Sequence, residues 1–265
     1  MNRPAITIIA TVLIVGSGIW YYLAERRPAV PAPTLVASAP PLAPASAPPP
    51  VRYPVPSAPA SSAAPAASLP TLDASDAPLT EALAGVAGQS ALKQFLVPDE
   101  IVRRIVVTVD NLPRKKLPYD RLPVATPAGG FIADGEGPHA TLDPRNYARY
   151  TPMVDALRSI DMRALAAVYF HFYPLFQNAY QGLGYPNGYF NDRLIAAIDA
   201  LLATPQPQEP IELVQPHVQY HFADPRLEAL SAGQKILIRM GPANAAAVKA
   251  KLAELRTALI AARPR

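Results

Sequence analysis

The sequence of 265 residues contains no cysteine, which excludes disulfide bonds and thiolate catalysis. This absence suits an oxidising periplasm and a reducing cytoplasm equally well. The chain also lacks a phosphate-binding loop, a dinucleotide fingerprint and the Gly-x-Ser-x-Gly motif of many hydrolases. We therefore predict no cofactor, and no motif identifies a reaction.

Charged residues are also few, and the small positive excess does not indicate a nucleic-acid partner. The formal net charge of the whole chain is +4. Four basic residues and one acidic residue precede residue 71, which leaves a net charge of +1 for the rest of the chain; they are Arg3, Arg26, Arg27, Arg52 and Glu25. Nucleic-acid-binding domains carry a clearly basic surface. We expect no nucleic-acid partner for this chain.

One long apolar run, AITIIATVLIVGSGIWYYL, occupies residues 5–23 without a charged residue. As a helix it would be about 28 Å long, close to the hydrocarbon thickness of a bilayer. A cleaved signal peptide has a shorter apolar stretch followed by small residues. This run instead ends in Trp20, Tyr21 and Tyr22, which are typical of membrane interfaces. We predict an uncleaved transmembrane anchor at residues 1–27.

The orientation of this anchor rests on weaker signals. Arg3 on one flank is balanced by Arg26 and Arg27 on the other, so the positive-inside rule does not decide. The short tail before the apolar run resembles that of a signal anchor. We expect a single-pass protein of the bacterial inner membrane, attached through residues 5–23, with its C-terminal domain in the periplasm.

Residues 28–70 are dominated by Pro, Ala and Ser, and Arg52 is their only charged residue. Such a composition buries too little apolar surface to offset chain entropy, so we predict a disordered Pro/Ala-rich linker. In polyproline II geometry this linker would reach about 130 Å. Its Pro-x-x-Pro spacings also fit a ligand for polyproline-binding domains, although they arise by chance in a chain with 33 prolines.

Residues 71–265 are predicted to form one globular domain with mostly helical patterning. Apolar residues recur at helical spacing over residues 101–112, where the β-branched content also fits a strand, and over 162–183. The second stretch carries a stripe expected to enter the core: Leu165, Tyr169, Phe172, Phe176 and Tyr180. A third stripe follows Gly241-Pro242 and consists of Val248, Leu252, Leu255 and Leu259.

Local signals complete the predicted fold. Helix starts are expected at four places: Asp143-Pro144, Thr151-Pro152, Asp224-Pro225 and the capping box Ser231–Gln234. Alternation typical of strands is limited to residues 131–142, with a turn near Gly135, and to residues 211–222. We predict a mainly α (α+β) fold, a compact helical domain with a small β element.

Four segments of this domain look familiar: FLVPDEIVRRIVVTVDNLPR (95–114), RNYARYTP (145–152), YPLFQNAYQGLGYPNGYFNDRL (173–194) and LSAGQKILIRMGPAN (230–244). They resemble a proteobacterial family of membrane-anchored proteins that is catalogued only as a domain of unknown function. The resemblance covers residues 69–262. It implies the same layout of anchor, Pro-rich linker and domain, and it brings no activity, cofactor or catalytic residue.

The segment GYPNGYFNDR at residues 184–193 concentrates aromatic and polar groups between two predicted helices. Aromatic side chains supply contact area, and amides and charges supply direction, a combination suited to recognition. The candidate binding residues are Tyr185, Asn187, Tyr189, Asn191, Asp192 and Arg193. A buried polar network that holds the junction together is the alternative.

A second candidate surface is basic and centres on Arg114, Lys115 and Lys116. It could contact an anionic lipid or glycan. Acidic residues interleave with the basic residues in this part of the sequence, which equally fits a solvated face of mixed charge.

His217 and His221 have the spacing H-x-x-x-H, with Glu212 and Asp224 nearby. On a helix this spacing would place both imidazoles on one face as metal ligands. The alternation of residues 211–222 instead predicts an extended segment, in which residues four apart lie about 13 Å from each other. We therefore predict no metal site.

Two functional hypotheses follow from the sequence. The first is a membrane-tethered, periplasmic, non-catalytic binding or scaffolding module of the bacterial cell envelope, with an envelope protein or glycan as partner. The alternative is an envelope hydrolase that uses acidic or histidine residues of the C-terminal domain. Its carboxylates show no recognisable pairing along the chain, but paired acids can converge only in the fold.

Overall fold

The computed structural model describes residues 50–56, 69–135 and 137–261. The predicted anchor at residues 5–23 and most of the predicted linker lie outside the described residues. Within these ranges no helix has both the length and the apolar character needed to cross a membrane.

The described part of the chain is mainly helical, with nine α-helices and four very short strands. The helices are α1 (Asp76–Ala87), α2 (Gln89–Phe95), α3 (Ile101–Asn111), α4 (Arg145–Arg158), α5 (Met162–Gly182), α6 (Phe190–Leu202), α7 (Pro225–Glu228), α8 (Ala232–Arg239) and α9 (Pro242–Ala261). The strands are β1 (Ala133–Asp134), β2 (Thr141–Leu142), β3 (Leu213–Val214) and β4 (His221–Phe222). The predicted class, mainly α with a small β element, is confirmed for this region.

Local capping signals start several helices where the sequence predicts them. The Ser231 hydroxyl accepts a hydrogen bond from the Gln234 N–H, and the Gln234 side chain accepts one from the Ser231 N–H, which completes the capping box of α8. Asp224 caps α7 by accepting the Arg226 N–H at 2.8 Å. These predictions are confirmed because each depends only on residues within one helical turn.

The prediction that a new helix starts at Thr151-Pro152 is wrong. Both residues lie inside α4, which runs without interruption from Arg145 to Arg158. Pro152 leaves the Ala148 carbonyl without its helical N–H donor, and the helix nevertheless continues through this position. The Tyr147 carbonyl accepts hydrogen bonds from the Thr151 hydroxyl at 3.4 Å and from the Asn244 side chain of α9 at 2.9 Å.

The β-branched stretch at residues 101–112 forms the helix α3, not a strand. Its first turn is capped by a distant side chain. The Asp76 carboxylate, at the start of α1, accepts the N–H groups of Glu100 and Ile101, each at 2.8 Å. Ile101 and Val102 are almost completely buried, so the apolar face of α3 packs into the core and stabilises the helical form.

The small β element consists of two antiparallel hairpins. In the first, Ala133 pairs with Leu142, which confirms the turn predicted near Gly135. In the second, Leu213 pairs with Phe222, so the prediction of one continuous extended segment over residues 211–222 is wrong. The chain folds back after Val214, and Gln215 closes the bend by donating to the Val218 carbonyl at 3.0 Å.

Helix α5 is surrounded by other helices and carries much of the core. It packs against α1, α3, α6 and α9. Three members of the predicted aromatic stripe, Phe172, Phe176 and Tyr180, are buried, which confirms their place in the core. Phe190 at the start of α6 stacks on Phe176 with ring centroids 5.8 Å apart. These rings hold the beginning of α6 against the middle of α5.

A charged cluster around Glu228 joins the second hairpin to α7 and α8. Glu228 accepts hydrogen bonds from the Phe222 N–H at 3.0 Å and from Lys235 of α8 at 2.7 Å, and it contacts His221 at 3.2 Å. Burial by itself would raise the pKa of Glu228. The bonds from Lys235, Phe222 and His221 outweigh burial and lower this pKa to about 2.

Candidate functional site

A tight turn precedes α6 and sets the position of its first residues. Gly184 ends the preceding helical segment with φ near +108°, and the Gly188 N–H then closes a turn onto the Tyr185 carbonyl at 2.9 Å. A Cβ at Gly188 would lie 2.7 Å from the Tyr180 ring and 2.9 Å from the Tyr185 Cβ. Glycine is required at this position because the two tyrosines approach the backbone closely.

Gln177 in the middle of α5 fastens this turn to the core. Its amide nitrogen donates to the Gly188 carbonyl at 2.8 Å, and its amide oxygen accepts the Phe190 N–H at 2.9 Å. The Tyr173 hydroxyl also donates to the Gln177 oxygen at 2.9 Å. Burial raises the pKa of Tyr173, with a hydrogen bond to Tyr189 acting in the same direction. Tyr173 therefore stays protonated at neutral pH.

A segment of the predicted linker, residues 50–56, lies against the beginning of α6. We call residues 52–56 the docked segment. The two carboxylate oxygens of Asp192 accept consecutive backbone N–H groups, from Arg52 at 2.9 Å and from Tyr53 at 2.8 Å. One carboxylate thus receives two charge-assisted hydrogen bonds, which are stronger than bonds between neutral groups.

Two further side chains of the same helical turn hold the docked segment. The Tyr189 hydroxyl accepts the Val55 N–H at 2.7 Å. The Asn191 amide nitrogen donates to the Tyr53 carbonyl at 2.8 Å. Together with Asp192, these residues bind main-chain groups of the docked segment.

Asn191 is held in its binding orientation by a buried tyrosine. It has no exposed surface, and its amide oxygen accepts the Tyr169 hydroxyl of α5 at 3.0 Å. Burial raises the pKa of Tyr169 well above its ordinary value, so the phenol remains a donor at neutral pH. Because the oxygen of the amide is occupied, its NH₂ group points toward Tyr53.

Part of the docked segment lies against the domain and part faces solvent. Tyr53, Val55 and Pro56 are partly buried, whereas Arg52 and Pro54 are exposed. The chain bends at Arg52 and Tyr53, and both of their N–H groups reach the Asp192 carboxylate. On the buried side, the pKa of Arg256 in α9 is raised by hydrogen bonds to Asp199, and the Tyr53 phenol adds a smaller effect in the same direction.

A second polar cluster centres on Asp110, the penultimate residue of α3, whose side chain is only 6% exposed. Arg193 donates to its carboxylate at 3.0 Å and also to its backbone carbonyl. Arg114 forms an ion pair with the same carboxylate at 2.9 Å. The Tyr185 hydroxyl donates to Asp110 at 3.3 Å and accepts from Arg114 at 2.6 Å. The cluster is a polar network around one buried carboxylate, and it includes Tyr185 and Arg193 of the 184–193 segment.

The structure thus divides the predicted binding residues between two roles. Tyr189, Asn191 and Asp192 contact the docked segment. Tyr185 and Arg193 join the Asp110 cluster instead. Asn187 is exposed, and its side chain forms no hydrogen bond with the residues that the structure describes.

The predicted basic surface is also divided. Arg114 belongs to the Asp110 cluster, and Lys115 donates to the Ala229 carbonyl just after α7. Lys116 is exposed. Two of the three basic side chains therefore make contacts within the domain, and only their outer surface could meet an anionic lipid or glycan.

Sequence reasoning missed several residues that build the site. Asp110, Gln177 and Tyr169 act across elements, and only their polarity within apolar helices could have signalled a role. Arg52 and Tyr53 carried a clearer signal. They are the only charged residue and the only aromatic residue in residues 28–70, and they are adjacent.

The two histidines of the H-x-x-x-H motif lie in the second hairpin. His217 is exposed in the bend, whereas His221 in β4 contacts Glu228. In the ranges that the structure covers, no group of three or more His, Asp or Glu side chains is placed to hold a metal ion.

Comparison with known proteins gives one match. A family model described as "Protein of unknown function (DUF3014)" matches residues 101–256, more than half of the chain. The chain belongs to this family. The DUF3014 region begins at α3 and includes both the Asp110 cluster and the residues of α6 that hold the docked segment. No curated protein matches the chain, and no solved structure matches it.

The match confirms the predicted resemblance to a family known only as a domain of unknown function, over residues 101–256. The expected proteobacterial origin and membrane anchoring remain predictions. The docked segment lies before the DUF3014 region, so the site combines residues of the family domain with residues of the preceding linker.

Proposed function

We propose that the DUF3014 domain is a non-catalytic binding module that holds extended peptide segments at the beginning of α6. The observation that supports this proposal is the set of hydrogen bonds from Tyr189, Asn191 and Asp192 to the main chain of the docked segment. A surface that pairs with backbone N–H and C=O groups is suited to a peptide rather than a glycan.

The expected affinity for a short peptide is modest, and it is raised because the binding side chains are already held in position. A hydrogen bond to a charged group contributes about 1.5–3 kcal/mol and a neutral one about 0.5–1.5 kcal/mol, before the loss of peptide freedom is subtracted. Tyr169 and Gln177 already hold the binding groups in position. Little ordering of the domain is needed on binding, so micromolar affinity for a short peptide is a reasonable expectation.

The arrangement of carboxylates supports binding over hydrolysis. A general acid or base must be able to exchange a proton with a substrate atom. Asp110 is engaged by two arginines, and Asp192 accepts two backbone N–H groups. These two carboxylates therefore favour a binding module over an envelope hydrolase.

We further propose that the module works at the bacterial cell envelope. Residues 5–23 would anchor it in the inner membrane, and the Pro/Ala-rich linker would carry the domain into the periplasm. Its partner would then be an envelope protein that presents an extended segment. Protease added to spheroplasts should remove the domain, and its complete protection beside a digested periplasmic control would contradict this location.

Peptide binding can be tested with the full chain in detergent micelles. The probe is a fluorescein-labelled peptide with the sequence of residues 48–59, and the readout is fluorescence anisotropy. The protein carries Arg52→Gly, Tyr53→Ser, Pro54→Gly and Val55→Ser, which weaken its own docked segment; we call it the unblocked variant. We expect saturable binding with a Kd of about 10–100 µM, in line with a few net hydrogen bonds.

The matched control is a second substitution in the unblocked variant. Asp192→Ala removes the acceptor of two backbone N–H groups and should weaken peptide binding at least tenfold. Asp155→Ala removes an exposed carboxylate of α4 that pairs with Arg158 one turn away, and it should leave binding unchanged. Equal affinities for the two proteins would contradict the proposed site.

A further inference from the structure

The order of N–H donors and prolines along the docked segment matches the acceptors of its site. Residues 52–56 read Arg-Tyr-Pro-Val-Pro and contain three backbone N–H groups. All three are hydrogen-bonded to the domain, those of Arg52 and Tyr53 by Asp192 and that of Val55 by Tyr189. The two residues that have no N–H to donate are prolines. Each N–H group of residues 52–56 thus has an acceptor in the domain.

The prolines also favour the conformation that the site binds. A residue that precedes proline is restricted to extended backbone. Tyr53 precedes Pro54, and Val55 precedes Pro56. These are the two residues of this stretch whose backbone N–H and partly buried side chain both face the domain. A Tyr-Pro-x-Pro sequence thus enters the site with less conformational freedom to lose.

Tyr53 supplies the side-chain part of the recognition. Its carbonyl and its N–H are both bonded to α6, by Asn191 and Asp192. Tyr53 is partly buried and acts electrostatically on Arg256, which forms an ion pair with Asp199 and so joins α9 to α6. An aromatic residue with a polar end suits a half-buried position near a charged pair.

We infer that the site takes extended Tyr-Pro-x-Pro segments, and that residues 53–56 are a resident copy of this ligand that must leave before another can bind. This inference rests on the proposed function and specifies its ligand. Twelve residues, 57–68, connect the resident ligand to the domain. A connection of this length gives an effective concentration of about 1 mM. A partner segment therefore competes with the chain's own linker.

The competition has a predictable size. With an effective concentration of about 1 mM and a Kd of about 100 µM for the isolated segment, the intact chain should bind an added peptide about tenfold more weakly than the unblocked variant. Tighter intrinsic binding would enlarge this difference. The site would then open only to partners that present the segment at high local concentration, such as repeated or membrane-concentrated copies.

The test uses the full chain in detergent, as the intact protein and as the unblocked variant. Four labelled peptides of residues 48–59 serve as probes: the parent sequence, Tyr53→Ala, the double change Pro54→Ala with Pro56→Ala, and a scrambled sequence. With the unblocked variant we expect Tyr53→Ala to weaken binding at least tenfold. The double proline change should weaken it about fivefold, because the free peptide regains conformational freedom.

Each outcome bears on a different claim. If the unblocked variant binds the parent and the alanine peptides equally, the inferred ligand class is wrong while the peptide-binding function stands. If the intact chain binds the parent peptide as tightly as the unblocked variant does, the resident segment is not a competitor. If the unblocked variant binds no peptide although its melting temperature matches that of the intact chain, the proposed function itself fails.

A second way of releasing the segment guards against a folding defect in the unblocked variant. A protease site inserted within residues 57–68 allows the chain to be cut after purification, without any change to the docked segment. Cutting should restore parent-peptide binding to within about threefold of the unblocked variant, because the effective concentration is lost. A cut protein that binds as weakly as the uncut protein would overturn the competition.

Discussion

Removal of the Asp110 carboxylate should destabilise the domain strongly. In Asp110→Ala, Arg193 loses the bond to its 6%-exposed partner, while its own side chain is 24% exposed. Breaking a buried ion pair by removing one partner costs about 3–5 kcal/mol. Arg114 is half exposed and can be solvated again by water. The backbone carbonyl of residue 110 also still accepts from both arginines. We therefore expect a loss of about 2–4 kcal/mol.

The loss can be measured by thermal unfolding, followed by circular dichroism at 222 nm on the full chain in detergent. For a domain of this size, 1 kcal/mol corresponds to about 2–4 °C, so the melting temperature should fall by roughly 5–15 °C. Asp110→Asn keeps the shape but not the charge and should lie between the wild type and Asp110→Ala. The control is Asp120→Ala, which removes a carboxylate that is 80% exposed and should change the melting temperature by less than 2 °C.

An Asp110→Ala protein that melts within 2 °C of the wild type would refute the assignment of this cluster as a structural network. Arg114, Tyr185 and Arg193 would then have to be reconsidered as parts of a binding surface. A large loss of stability with Asp110→Ala, together with a small loss with Asp192→Ala, would separate the two roles. That result would assign Asp110 to the structural network and Asp192 to the proposed peptide site.

Three further predictions concern single positions. Gly188→Ala should lower the free energy of unfolding by about 1–3 kcal/mol in denaturant titration, because the new methyl would lie 2.7 Å from the Tyr180 ring. Tyr169→Phe frees the Asn191 amide to rotate and should weaken parent-peptide binding to the unblocked variant about threefold to tenfold in anisotropy, with a smaller effect on melting. The pKa of Glu228 is about 2 in the folded protein and 4.5 ordinarily, so its contribution to the free energy of unfolding is present above pH 4.5 and lost as pH falls toward 2. In Glu228→Gln, the free energy of unfolding from denaturant titration should change less between these two pH values.

The sequence by itself determined the features that depend on neighbouring residues. The capping box at Ser231, the short helix after Asp224 and the aromatic stripe of α5 follow from patterns within one or two helical turns. Such patterns are readable because the groups that interact are close in the chain. The resemblance to the DUF3014 family was readable for a related reason, since it rests on long segments in a constant order.

Two predictions failed because a local pattern fits more than one structure. Thr151-Pro152 has the form of a helix start, but both residues lie inside α4, which runs from Arg145 to Arg158. Residues 211–222 alternate like one strand, but pairing of Leu213 with Phe222 makes them a hairpin. In the second case the pairing of two short strands, and not the alternation alone, decides the structure.

Only the tertiary structure decided which residues of the 184–193 segment contact the docked segment. All six candidates look alike as a mixture of aromatic and polar side chains, yet Arg193 meets Asp110, 83 positions earlier, and Asp192 meets Arg52, 140 positions earlier. Adjacent side chains of a helix point in directions about 100° apart, so neighbours in sequence reach different partners. No local pattern encodes that choice. The packing of α3 and of the docked segment against different sides of the same helical turn makes it.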